Sequence, residues 1–107
     1  MALSFYDLSA ASYLQTLRAN AAILARGRSY LEEHGPTPDE LTRFRLRDDM
    51  APLSFQVISV WHHSLGALRG MQAGVFTPPP AVDDTSYAGL EALVAQAIDG
   101  VAALGED

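Results

Sequence analysis

The chain has 107 residues, no cysteine and a formal net charge of −6. That is one small domain, without disulfides, thiol nucleophiles or cysteine-ligated zinc, and its core must be packed efficiently or shared with another chain. All seven basic residues are arginines, the last Arg69, while Asp83, Asp84, Glu91, Asp99, Glu106 and Asp107 follow uncompensated, so no nucleic-acid partner is expected.

The opening "MALSFYDLSAASYLQ" has no basic n-region, and no apolar run is long enough for a bilayer; no membrane association and a cytoplasmic location are expected. The first predicted helix spans 9–34. Asp7 or Ser9 can cap it, and Leu14, Leu17, Ala21, Leu24 and Leu31 form an apolar stripe at three- and four-residue steps. A weaker stripe runs through Ile23 and Tyr30, and His34, Gly35 and Pro36 mark the end. A short helix over 38–44 follows, with Thr37 as cap, Pro38 at the first position and Glu40 completing a capping box. Arg43, Arg45 and Arg47, flanked by acids, read as a solvated, salt-bridged turn.

The next predicted helix covers 49–73, with Pro52 in a first turn whose amides lack intrahelical partners anyway. Met50, Leu53, Val57, Trp61, Ser64, Leu65, Leu68 and Met71 form its apolar face, and Gly74 closes it. The proline-rich stretch 75–84 is a stiff, extended linker able to cross the end of a bundle. The last helix is expected over 85–104, with Tyr87, Leu90, Val94, Ala97, Ile98, Val101 and Leu104 on one side. Three long helices and a short one, joined by short connections, predict an all-α antiparallel helical bundle over 1–107 with the 49–73 helix as its central packing element.

Adjacent residues on a 3.6-residue helix point about 100° apart, so His62 and His63 cannot chelate one metal from the same face. A helical metal pair needs three- or four-residue spacing, and His34, His62 and His63 contain none. Projected on a regular helix, His63 falls opposite Trp61 and Leu68, and His62 sits at the flank near Arg69. Both read as boundary histidines satisfied by water or a carbonyl; the other reading makes one of them a ligand or base in a cleft. No cofactor and no metal are expected, His62 and His63 being the candidates should a divalent ion bind.

Gly66, Gly70 and Gly74 step by four along the same helix. Glycine inside a helix costs up to roughly 1 kcal/mol against alanine. Such a run points to close approach of another helix, from a partner chain included; neutral drift is the other explanation. Trp61, Gly66, Arg69 and Gly70 are therefore cleft or interface candidates. The sequence has no phosphate-binding glycine loop and no nucleophile elbow, and its acidic doublets lie at helix ends or in linkers.

"SFYDLSAASYLQTL", "RLRDDMAPLSFQV" and "HHSLGALRGMQAGVFTPPP" together resemble the bacterial and fungal proteins grouped as domain of unknown function 1993. The resemblance implies a bundle of the DinB/YfiT-like type, with four main helices and frequent pairing into dimers. Relatives in that wider class bind a divalent metal through three histidines, one on the second long helix and two on the last. This sequence lacks the second and third histidines and stops where a fourth long helix is expected. Two functions follow as expectations. One is a homodimeric assembly or interaction domain, with the 49–73 or 85–104 helix at the interface and any small-molecule ligand unknown. The other is a DinB-like metal-assisted or thiol-transfer enzyme with a site near His62 and His63.

Overall fold

Helix caps written into the sequence set most of the element boundaries in the computed structural model, which describes residues 4–104; Glu106 and Asp107 lie outside that range. Ser4 and Asp7 form a reciprocal capping box that starts a single turn, α1 (Phe5–Leu8). Ser9 then interrupts the helix with φ −124° and makes no side-chain cap bond, its hydroxyl donating instead to the Phe5 carbonyl at 2.6 Å. The expected helix over 9–34 is thus α2 (Ala10–His34), and α1 is a separate turn ahead of it. At its end Gly35, with φ +60°, donates its amide to Leu31, satisfying one of the last carbonyls.

The Thr37–Glu40 capping box forms as its spacing implies, and α3 covers Pro38–Leu41. The following helix begins at Leu53, not near 49, because Pro52 stands in extended geometry as its capping residue. It runs as α4 (Leu53–Trp61), a π-helical turn (His62–Gly66) and α5 (Ala67–Ala73). Gly74 closes it in the left-handed conformation, φ +84°. Helix α6 (Tyr87–Ala102) is capped by Ser86, whose hydroxyl accepts from the Gly89 amide. Its first amide, on Tyr87, donates to the Asp39 carboxylate at 2.9 Å, so α3 supplies a second, long-range cap.

Helix α6 is the hub of the bundle. Both α2 and the α4–π–α5 rod pack on it, and the backbones of those two approach it more closely than they approach each other. Leu90, Val94, Ala97 and Val101 are completely buried and Tyr87 nearly so, as the last helix's periodicity predicts. Trp61 is only half-buried, which corrects the expectation that the 49–73 helix is the central packing element. A helix flanked on two sides buries a wide arc of its surface, and α6 can do so because its remaining face carries mostly alanine.

The core has two lobes. Ala10, Leu14 and Leu17 of α2 meet Leu65, Leu68, Ala97 and Val101 in one. Leu24 and Leu31 meet Val57, Tyr87, Leu90 and Val94 in the other. This pairing fixes direction: α2 runs antiparallel to both partners, as expected, while α4–α5 and α6 run parallel to each other. The proline-rich segment therefore does not cross an end of the bundle; it returns along its length. About twelve steps at ~3.1 Å in extended polyproline geometry span ~37 Å, enough to retrace a rod of about 21 helical residues, ~31 Å long.

Candidate functional site

The π turn falls on the histidine pair. The Ser64 hydroxyl donates to the Val60 carbonyl at 2.7 Å, back-bonding of the kind that loosens a helical ladder, and the ladder widens there to admit one extra residue. Turns of this kind are frequent at functional sites. The extra residue rotates everything after it relative to a regular helix. His62, at the start of the turn, lies buried beneath the returning segment and not at the flank near Arg69, whereas His63 and Arg69 are exposed. Met71, expected on the apolar face, is half exposed because of that rotation.

His62 holds the returning segment. Its Nε2–H donates to the Thr77 carbonyl at 2.7 Å, which assigns the proton to that nitrogen because a carbonyl can only accept. Its ring stacks on Phe76 at 4.6 Å and 22°. His63 meets the edge of His62 at 5.3 Å and lies 5.8 Å from Phe76. The two histidines thus share an aromatic neighbour, Phe76. Among the described residues no three His, Cys, Asp or Glu side chains converge as a metal would require. His34 is remote, beside Tyr30 at 4.5 Å.

The glycine ladder has an intrachain explanation. A Cβ on Gly66 would lie 2.9 Å from His62 Nδ1. One on Gly70 would lie 3.0 Å from both Phe76 Cδ1 and the Val75 carbonyl. At Gly70 the approaching backbone is the chain's own Val75–Phe76, at Gly66 the neighbour is the His62 ring one turn back on the same helix, and Gly74 is needed for its left-handed cap. Trp61 packs at the edge of the lobe formed by Leu14, Leu17, Leu65 and Val101, and its buried indole N–H has no hydrogen-bond partner among the described residues. Phe76 and Thr77 complete this site and were not legible beforehand, because nothing local in "VFTPPP" tells which part of the helix it retraces.

A second cluster lies at the far end of α6. Arg28 bonds Glu91 through both Nε, at 2.7 Å, and a terminal nitrogen. Its guanidinium stands 5.3 Å from the centre of the Tyr87 ring. Hydrogen bonding to Glu91, with charge attraction from that carboxylate, raises the Arg28 pKa further. Burial pushes the Tyr87 phenol above its usual value, as does Glu91, with Arg28 opposing. Asp84 is held below the usual carboxylate range by the Ser86 hydroxyl and then the Ser86 amide.

The α3–α4 connection encloses a third feature. Arg47 pairs with Asp49 at 3.5 Å, and Arg45 donates to the Asp48 carbonyl, as expected of a salt-bridged turn. Beneath them Leu41, Phe44, Leu46, Met50 and Leu53 bound a cavity of about 350 Å³. The connection is fastened to the first turn of α4, where the Leu53 and Ser54 amides donate to Phe44 and Thr42, both at 2.9 Å.

No curated protein and no solved structure matches the chain. The family model described as Domain of unknown function (DUF1993) matches residues 5–107. The three stretches noted in the sequence fall in the opening helices, the α3–α4 connection, and the π turn with its returning segment, so that match takes in the histidine site, the Arg28 cluster and the cavity: the chain belongs to the DUF1993 family.

Proposed function

We propose that this domain is a helical assembly module that pairs with a second copy of itself. The observation that supports this reading is its surface. The chain exposes 7104 Å², whereas a compact monomer of 11.5 kDa exposes about 5,800 Å². Its radius of gyration is 15.2 Å, against about 13 Å for a compact domain of this length. The excess of about 1,300 Å² exceeds the ~800 Å² that each partner contributes to an ordinary interface. The outward face of α6, with Ala88, Ala92, Ala95 and Ala102 exposed, offers a seat on which another helix can come close. Ile23 and Tyr30 on α2 add exposed apolar area.

Sedimentation equilibrium at micromolar concentration tests the proposal. A two-fold dimer whose association is lost in Ala92→Glu and Ala95→Glu variants that still melt cooperatively is the expected result. A monomer with a concentration-independent melt overturns it.

The second reading, DinB-like metal-assisted or thiol-transfer chemistry near His62 and His63, is favoured by one observation: the π turn sets an exposed histidine beside a buried one. Metal content after purification without an affinity tag separates the two readings. Near-stoichiometric metal that is lost in His63→Ala supports this reading; metal-free protein that still pairs supports the first.

A further inference from the structure

The cavity under the α3–α4 connection is built as a binding site. Its volume of about 350 Å³ falls within the range of small-molecule pockets, which are mostly apolar with a few placed polar groups. Leu41, Phe44, Met50 and Leu53 supply the apolar wall, and Arg45 and Gln56 are the polar side chains among its lining residues; among the described residues no acid lines it. The walls are preformed: loop carbonyls of Thr42 and Phe44 are bonded to α4 amides, and the buried Thr42 hydroxyl donates to the Asp39 carbonyl at 2.7 Å. One guanidinium nitrogen of Arg45 is bonded to the Asp48 carbonyl at 3.3 Å, which leaves its other donors for a ligand. Leu53 and Gln56 belong to the opening turns of α4, where the helix dipole adds partial positive charge.

We propose that this cavity binds a small amphipathic anion, an apolar chain of medium length ending in a carboxylate, with the chain among Leu41, Phe44, Met50 and Leu53 and the carboxylate at Arg45. The charge pattern selects this occupant. In a chain of net charge −6, an acid-free apolar pocket with a guanidinium on its wall discriminates against cations and accepts an anion. The site stands whether or not the domain pairs.

Decanoate titrated calorimetrically into the full chain tests this, with decanol and decylammonium as comparators. Saturable binding of one decanoate per chain, with Kd on the order of 100 µM, is expected, and decylammonium should bind far more weakly. Arg45→Gln should weaken decanoate about fivefold, as for an exposed ion pair, while leaving decanol unchanged. Ala51→Phe fills the cavity and should abolish both; Met50→Trp serves if that variant does not fold. Equal binding of decanoate and decylammonium, no effect of Arg45→Gln, or no saturation at millimolar concentration overturns the proposal. So does a Leu46→Glu variant that stops pairing and only then admits decanoate, since the cavity would then belong to the second copy.

Discussion

The Tyr87 hydroxyl donates to the Leu24 main-chain carbonyl at 2.5 Å, one turn before a glycine that leaves room for it. A Cβ on Gly27 would lie 2.8 Å from that oxygen. The phenol is anchored and nearly fully buried, so it cannot swing away. Gly27→Ala should therefore destabilise the parent despite a helix-propensity gain of up to about 1 kcal/mol. Tyr87→Phe should cost about 1 kcal/mol by losing the hydrogen bond. In the Tyr87→Phe background the sign reverses, and Gly27→Ala should stabilise. Urea melts of the four proteins decide it; additive effects would show that the two residues are not coupled.

The same phenol gives an alkaline signature. Burial raises its folded pKa above the unfolded value of about 10. Its contribution is whole below that value and is lost as pH rises through the higher folded value. The alkaline limb of a stability–pH curve should be shallower for Tyr87→Phe. Asp84 acts at the other end. Its folded pKa lies below the unfolded value of about 3.9, so its contribution is present above that value and lost as pH falls through the folded one. Asp84→Asn should flatten the acid limb.

Leu90 and Trp61 should rank opposite to their size. Leu90 is completely buried where α2 and α4 meet α6, and Leu90→Ala should cost about 2–5 kcal/mol. Trp61 is half-buried, and its indole N–H has no hydrogen-bond partner among the described residues. Trp61→Phe removes that buried donor, a relief of about 1–3 kcal/mol that offsets the lost packing, so its melting temperature should change little. A loss in Trp61→Phe matching that of Leu90→Ala would contradict the placement of α6 at the hub.

His62 should govern the local opening of the returning segment more than global stability. His62→Ala loses both the bond to Thr77 and the stack on Phe76, whereas His62→Phe retains an aromatic face. Chymotryptic cleavage after Phe76 should accelerate in the order parent, His62→Phe, His62→Ala. Equal rates would mean that the segment is held by something other than His62.

The helices themselves were legible in the sequence because each carries a repeat of its own period. Leu14, Leu17, Leu24 and Leu31, and Tyr87 to Val101, mark their buried faces without ambiguity, and Thr37 with Glu40 announces a helix start. The candidate site was less legible. A π turn has no local code, since Ser64 can back-bond in an ordinary helix as well, and the burial of His62 comes from Phe76 and Thr77, the latter fifteen residues on. The glycine spacing suggested an approaching helix, whereas Gly66 faces His62 of its own helix and Gly70 faces Val75–Phe76, a returning segment that carries no mark of its destination. Phe44 and Leu46, alternating with arginines, looked like a solvated turn because two apolar residues give no period from which to infer a cavity.

The central position of α6 bears on how the chain can be made. Helices α2 and α4 leave the ribosome before the helix that joins them, and their backbones stay apart even in the finished bundle. Every main core contact of α2 with α6 spans about sixty residues or more, as Arg28 with Glu91 and Leu24 with Tyr87 do. Such long-range closure is slow and leaves earlier segments exposed meanwhile. The nascent chain therefore holds two amphipathic rods without the helix that joins them until Tyr87 and the turns after it emerge, and a ribosome stalled just before Ser86 should present a species that chaperones bind and proteases cut throughout.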